Sequence, residues 1–244
     1  MREFRADLHV HTCLSPCADL DMHPRAVVER AVAGGLDIIA VCDHNASENV
    51  PYVTAAARGR PLAVIGGMEI ASAEEVHVLA LFDKPDDLIG MQRIVYEGLA
   101  GKNDERLFGV QAIVNEKGEV EGFNERLLIG ATGIPLDEVI QNIHDLGGLA
   151  VASHIDRESF SVISQLGFVA EGSGFDALEV SRALGIEGAR RRYPELRGWP
   201  FIVSSDAHFL DDIGTAATTM YLAAATVEEI RMACRGREGR RLGG

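Results

Sequence analysis

The strongest constraint on this chain is a repeated pattern: short apolar runs that each finish in histidine or a carboxylate, separated by helix-forming segments. Leu36 to Cys42 is almost continuously apolar, as a strand covered on both faces should be, and it ends in Asp43-His44-Asn45. Leu62 to Ile65 extends through Gly66-Gly67-Met68 to Glu69, Leu149 to Ser153 ends in His154, and Phe201 to Ser204 ends in Ser205-Asp206-Ala207-His208. Helices are expected over Pro24 to Ala33, stopped by Gly34-Gly35, and over Pro135 to Leu146, stopped by Gly147-Gly148. Further helices are expected near Glu48 to Arg58, Ser159 to Leu166, Ile186 to Tyr193 and Val227 to Ala233. Ala177 to Val180 and Thr218 to Leu222 read as additional strands. Such alternation predicts a parallel α/β sheet or barrel, whose ligands gather at the carboxyl ends of the strands.

That edge receives a metal-binding donor set. Asp7-Leu8-His9-Val10-His11 is an alternating strand, so His9 and His11 share a face and can converge on one ion. Taken alone, the pair could equally be the exposed face of an amphipathic strand. Asp206 and His208 repeat the same spacing, and closure of the sheet would bring the two pairs together. Five of the eight histidines stand at strand ends, with Asp43 and Glu69 among them. A carboxylate such as Glu69 can bridge two ions with its two oxygens, and paired ions activate water and neutralise an in-line displacement. Mixed nitrogen and oxygen donors suit zinc, manganese or iron. His77 opens its strand, so strand-end logic leaves it open. His23, near a helix start, and His144, inside a helix, are expected to be structural. Cys42 is expected in the core and Cys13 could line the pocket, while Cys17 and Asp19 follow His11 closely enough for either to face the metals.

From 83 to 133 the pattern changes to a helix and a hairpin whose turn is Asn115-Glu116-Lys117-Gly118. This stretch is expected to be an insertion within a single domain of residues 1–244. Residues 235–244 read as a basic, flexible tail. The net charge of −14 disfavours a broad, sequence-independent grip on nucleic acid. An anionic substrate would therefore need local cations. Four cysteines do not form a disulfide framework in a chain of this size. The start of the chain has no secretory apolar segment and no run is long enough to span a bilayer, so a cytoplasmic protein without a membrane partner is expected.

The set Asp7-Leu8-His9-Val10-His11, Cys42-Asp43-His44, Gly67-Met68-Glu69-Ile70, Val76-His77-Val78, Ser153-His154 and Ser205-Asp206-Ala207-His208 resembles the polymerase and histidinol phosphatase (PHP) superfamily in residues and in order. The resemblance implies a distorted seven-stranded β/α, TIM-like barrel and a metal-dependent phosphoesterase with a trinuclear centre. It implies one ion held by His9, His11, Glu69 and Asp206, and a second by Glu69, His77 and His154. A third would take His44, His208 and a ligand from the loop after His11. That ligand is usually His or Asp in the family, and here Cys17 fits one alignment and Asp19 another. Two or three divalent ions are thus expected.

The implied reaction is hydrolysis of a small phosphate monoester by metal-activated hydroxide, with Glu69, Asp206 and His208 at the reacting centre. A nucleotide is the leading substrate, followed by histidinol phosphate. Arg157 and Arg182 are candidates to clamp phosphate, with surface ion pairing as the competing role. Asp43 either orients a ligand or carries a proton. A single-strand exonuclease and a non-catalytic, metal-binding regulatory module are the alternatives.

Overall fold

The computed structural model describes residues 1–243. Its elements follow in the order β1 (Arg2–Val10), α1 (Pro24–Ala33), β2 (Ile38–Val41), α2 (Val50–Ala56), β3 (Ala63–Ala71), β4 (His77–Phe82), α3 (Pro85–Gly98), α4 (Glu105–Phe108), β5 (Ala112–Val114) and β6 (Val120–Phe123). They continue through α5 (Leu136–Asp145), β7 (Leu149–Ala152), α6 (Val162–Leu166), β8 (Ala177–Val180), α7 (Gly185–Arg192), β9 (Phe201–Val203), β10 (Thr218–Leu222), α8 (Val227–Cys234) and β11 (Arg241–Leu242). The main sheet has nine strands rather than seven, in the order β11-β10-β1-β2-β3-β4-β7-β8-β9. It curls into a distorted, nearly closed barrel. His11 N donates to Ala207 O at 3.0 Å and Ala207 N to His9 O at 3.2 Å, which joins the end of β1 to the segment after β9. β10, antiparallel to β1, and β11, antiparallel to β10, lie beyond that seam and account for the two extra strands.

The expected parallel order is broken once inside the barrel. β4 runs antiparallel to both of its neighbours, β3 and β7, because the short turn after Ala71 returns the chain directly instead of through a helix. Its first residue, His77, pairs with Ala71 and therefore stands at the same edge as Glu69 and His154. Close contact of β3 with its neighbours explains the Gly66-Gly67 pair: a Cβ on Gly67 would lie 2.8 Å from Ala80 O and 3.1 Å from Cys42 Sγ.

Alternation divides each strand between two apolar layers. Ile38, Ala40, Leu79, Leu81, Leu149 and Val151 pack with Val227 and Ile230 of α8 in one cluster, while Ile39, Val41, Val78, Ala80, Ala150 and Ala152 pack beneath the surrounding helices in the other. The amide of Val227 is bonded to Asp83 and Arg231 donates to the carbonyls of Gly147 and Gly148, so α8 covers the edge opposite His77. The register of β1 against β2 shifts between Asp7 and Val10, the kind of irregularity that re-aims side chains, and His9 lies within it.

The segment 83–133 is tied to the barrel by polar side chains. Asn49, fully buried, donates to Thr12 Oγ1 at 2.9 Å and Ala112 O at 3.1 Å, and accepts from Val114 N at 3.0 Å. Asn45 donates to Leu128 O and Gly130 O, both at 2.8 Å. The basic end makes contacts of its own with the barrel. Arg240 forms a two-pronged bond with Glu229, Arg241 lies over the Tyr221 ring, and Arg241–Leu242 completes the sheet edge. His23 caps α1 by accepting from Ala26 N, and His144 pairs with Asp176 at 3.0 Å, so both are structural as expected. No helix among the described residues is long and apolar enough to cross a membrane.

Two substitutions test these ties. Asn49→Ala should cost about 1–3 kcal/mol in urea unfolding, since it strands buried donors and acceptors on both sides of the junction; a change within experimental scatter would contradict the anchoring role. Asp176 is pushed up by burial, but the bond from His144, the Ala150 amide and the charge of Arg231 together hold it below the usual carboxylate range. Its contribution is complete above the unfolded value of about 3.9 and is lost as pH falls through the depressed folded value. Asp176→Asn should therefore be less stable near neutrality, with the gap to the parent chain closing in acid.

Candidate metal centre

Glu69 ends up inside a cage of imidazoles. Its Oε1 lies 3.5 Å from His9 Nε2, 3.0 Å from His77 Nδ1 and 3.2 Å from His154 Nε2. Its Oε2 lies 3.6 Å from His11 Nε2 and 3.1 Å from His44 Nδ1. Asp206 Oδ1 adds contacts of 3.4 Å to His9 Nε2 and 3.2 Å to His11 Nε2. His208 stacks on His11, with ring centroids 4.1 Å apart. Eight of the residues expected as ligands therefore meet in one place, drawn from six strand ends and the loops that follow them.

The surrounding hydrogen bonds determine which atoms are free. His9 Nδ1 faces Glu179 Oε2 at 3.0 Å, so Nδ1 donates there and Nε2 is the nitrogen turned toward Glu69 and Asp206. His11 Nδ1 faces Ser15 Oγ at 2.9 Å, and that hydroxyl donates to Asp43 Oδ1 at 2.6 Å; it must accept from His11, whose Nε2 is then a lone pair. The two Nε2 atoms stand only 3.1 Å apart. His9 Nε2, His11 Nε2 and Asp206 Oδ1 thus converge with separations of 3.1 to 3.4 Å, and the oxygens of Glu69 lie 3.5 and 3.6 Å from the two nitrogens. A tetrahedron with bonds of about 2.0–2.1 Å has edges of about 3.3–3.4 Å. A single proton can satisfy one such pair, whereas a divalent cation satisfies all four.

Two further triads of nearby donor atoms adjoin this set, His44 with Glu69 and His77, and His11 with His44 and His208. His77 Nδ1, buried and close to Glu69, lacks a hydrogen-bond partner, and so does His154 Nδ1. The chain therefore offers clusters able to coordinate metal ions, with Glu69 shared between them.

Electrostatics support the same demand for positive charge. Burial alone would neutralise Glu69, but the charges of His77 and His9 and the bonds from His154 and His44 hold its carboxyl well below the usual range. Burial would discharge His9, yet Asp206, Glu179 and Glu69 together raise it well above an ordinary histidine. His11 is lowered, by burial first and then by the neighbouring His208. Burial raises the Cys17 thiol, but bonds with His208 and His44 more than offset it and bring it to about 7.

Backbone geometry holds the ends of the strands in place. Asn45, His154 and Asp206 have φ of 51°, 28° and 51°, left-handed conformations costing about 1–3 kcal/mol each for non-glycine residues. They are held by specific bonds. His154 N donates to Glu179 Oε2 at 3.1 Å, Asn45 N to Glu69 O at 2.8 Å, and Ser205 N beside Asp206 to Asp7 Oδ1 at 2.9 Å.

Other expected site residues fall in different places. Both oxygens of Asp43 accept bonds from Thr12 N, Thr12 Oγ1 and Ser15 Oγ, all within 2.7 Å, away from the imidazole cage. Cys17 lines the pocket with His44, His77 and His208. Asp19 does not: its Oδ1 accepts from Asp21 N at 2.8 Å in an exposed turn. Cys13 and Cys42 are buried, their thiols directed to Ala112 O and Leu8 O. Arg157 and Arg182 both border a cleft of about 590 Å³ that opens onto His154, Asp206 and His208. Each is now ion-paired, Arg157 with Asp206 at 2.5 Å and Arg182 with Asp212 at 2.8 Å. Glu179 and Ser15 were not anticipated. Glu179 had a signal, a lone carboxylate inside the apolar run Ala177 to Val180; Ser15 had none, because its role depends on Asp43 and His11 meeting in space.

Comparison with known proteins agrees with the geometry. A family model described as the PHP domain matches residues 7–166, and one described as PHP-associated matches residues 190–238. An uncharacterized protein, YqxK, of Bacillus subtilis is 31% identical over 116 residues, covering 46% of this chain and 29% of the relative. A 5'-3' exoribonuclease of Haemophilus influenzae is 34% identical over 82 residues, covering 32% of this chain and 29% of the relative. Among solved structures, a lesion-specific endonuclease from Pyrococcus furiosus superimposes with a TM-score of 0.76 at 17% identity, over 99% of this chain and 58% of that one. The matches thus span about a third of the curated relatives and somewhat over half of the endonuclease, and the last likeness is one of fold.

Removal of the Glu179 charge should loosen the His9 imidazole, while the amide oxygen of a glutamine can still accept from His154 N. Glu179→Gln is expected to lower divalent-ion affinity about 10- to 100-fold, measured by competition with a chromophoric chelator. Unchanged affinity would mean that Glu179 only supports the backbone at His154.

Proposed function

Because the chain belongs to the PHP domain family, we propose that it is a metal-dependent phosphoesterase that removes phosphate from a small nucleotide-sized substrate. One observation carries this reading: the convergence of His9, His11 and Asp206 beside Glu69, at the separations of a divalent-ion ligand set. Zinc, manganese or iron bound by these residues, and by His77, His154, His44 and His208 beside them, would supply Lewis-acid charge and an activated water.

The chain's own residues supply the rest. Glu69 shares its two oxygens between adjacent ligand groups and fixes their spacing. Asp43 acts through Ser15 to hold the His11 tautomer, so it is a positioning residue rather than a proton carrier, and Glu179 does the same for His9. His208 donates from Nδ1 to Asp206 O at 2.9 Å, which leaves Nε2 free to bind. Arg157 and Arg182 receive phosphate oxygens with their planar forks, releasing Asp206 and Asp212 as the substrate enters. Phe209, exposed on the wall of the same cleft, offers a face on which a base can stack. An acidic chain whose cleft gathers two arginines suits a small anion better than a polymer.

The second reading is a single-strand exonuclease. It is favoured by the likeness to the Haemophilus exoribonuclease over 82 residues, and it would use the same centre on a terminal nucleotide.

A panel of nucleotides, sugar phosphates, histidinol phosphate and short oligonucleotides, given to the metal-reconstituted protein, separates the two. Phosphate release is expected to be fastest from nucleotides, and Glu69→Gln should lower kcat/KM by about 10³-fold or more, on the order of 4 kcal/mol. No release from any compound by the fully loaded protein would reject the enzyme. Release from oligonucleotides alone would establish the second reading.

A further inference from the structure

We propose that Ile129 and Phe160 wall off the metal centre beyond the arginine cleft and so confine the protein to phosphate esters that carry a single organic substituent. The inference rests on the phosphoesterase reading above and adds to it the feature that tells a monoester from a diester.

Two spaces adjoin the centre, and they differ in size and lining. The cleft bordered by Arg157, Arg182 and Phe209 has a volume of about 590 Å³, whereas the pocket over His44, Glu69 and His77 has about 190 Å³. They meet along His154, Asp206 and His208, which face both. Sites for drug-sized molecules run from about 300 to 1,000 Å³, so the organic part of a nucleotide fits the cleft and not the pocket. The pocket has room for ions and the reacting phosphate. Besides the donor residues, Cys17 and Arg157, its wall consists of Ile129, Ser159 and Phe160.

Both apolar side chains stand partly in water at this rim, 38% exposed for Ile129 and 43% for Phe160, and the backbone of each is fixed. Asn45, the residue after His44, binds the carbonyls on either side of Ile129, Leu128 O and Gly130 O, at 2.8 Å each, while Leu128 is buried with Leu14 and Ala46. Phe160 has a φ of 57°, a left-handed conformation that bulky residues rarely adopt. Its carbonyl accepts from His77 N at 2.9 Å, and its ring stacks on the His77 imidazole with centroids 4.8 Å apart. Backbone strain held beside a reacting centre, rather than relieved, marks a side chain whose placement matters. A phosphodiester carries substituents on two sides of its phosphorus. With one of them in the cleft, the other would be driven against Ile129 and Phe160, whereas a monoester has only an oxygen there. Through Ile129 the segment 83–133 thus contributes to the selectivity of the site.

Truncation of Ile129 tests the wall and spares the clamp, since Asn45 holds the main chain at this position and not the side chain. Binding is read by calorimetry on the metal-loaded protein with phenylphosphonate and diphenylphosphinate, whose carbon–phosphorus bonds resist hydrolysis. Turnover is read with p-nitrophenyl phosphate and bis(p-nitrophenyl) phosphate. The parent should bind the phosphonate and hydrolyse the monoester, with little response to either diaryl compound. Ile129→Ala should bind diphenylphosphinate about 10-fold more tightly and raise kcat/KM for the diester by about the same factor, the range open to an apolar contact of this size. Ile129→Leu, which restores the bulk, should return the parent's selectivity. Phe160→Ala should shift selectivity as Ile129→Ala does, with its ion content confirmed by elemental analysis because the ring rests on His77. Equal use of monoester and diester by the parent, or unchanged selectivity in Ile129→Ala with the monoester still hydrolysed, would overturn the wall and leave the phosphoesterase standing. No hydrolysis of either ester by the fully loaded protein would overturn both.

Discussion

A buried carboxylate surrounded by five imidazoles is the interaction on which this structure depends. An isolated charge at the position of Glu69 would be prohibitively costly to desolvate, so the site exists only if positive charge or hydrogen-bond donors are brought to it. The fold does so by delivering histidines from β1, β2, β4, β7 and the segment after β9 to one rim. A proton serves one pair of these atoms at a time, whereas an ion serves several at once. Metal binding would stabilise the fold and build the site in the same event.

Around the imidazoles lies a second set of residues that hydrogen-bond to them. Ser15, itself bonded to Asp43, meets Nδ1 of His11, and Glu179 meets Nδ1 of His9 and also accepts from the strained backbone of His154. Asp7 fixes the far side of the barrel seam by accepting from Ser205 N and Gly214 N. Rigid placement of this kind matters because ligand atoms must stay within a few tenths of an ångström of their bonding geometry. The segment 83–133 joins the same framework through Asn45 and Asn49, whose side chains reach between the barrel loops and the hairpin.

Beyond the imidazole cage, the cleft gathers positive charge in an acidic protein. A net charge of −14 opposes long-range attraction of anions, yet Arg157 and Arg182 place two forks beside the centre, each balanced by a carboxylate. Local charge therefore decides what the global charge would forbid. Phe209 and the stacked pair Phe160 and His77 add apolar faces to an otherwise polar rim.

The sequence alone determined the parts governed by short-range periodicity and residue chemistry. Apolar runs ending in His9, His11, His44, Glu69, His154, Asp206 and His208 specified both the strands and the donors, because side-chain alternation and strand termini are local properties. His77 shows the limit. Its value as a ligand rests on β4 running antiparallel, a pairing that depends on β3 and β7, so strand-end logic applied to a parallel sheet left it open. The extra strands β10 and β11, the anchoring of the basic end, and the placement of Cys17 rather than Asp19 beside the imidazoles likewise depend on partners distant in sequence. Glu179 and Ser15 belong to the same class. Tertiary structure decided these because a hydrogen bond or a shared ion couples residues up to about two hundred positions apart, as Asp7 does Ser205, and no local pattern carries that information.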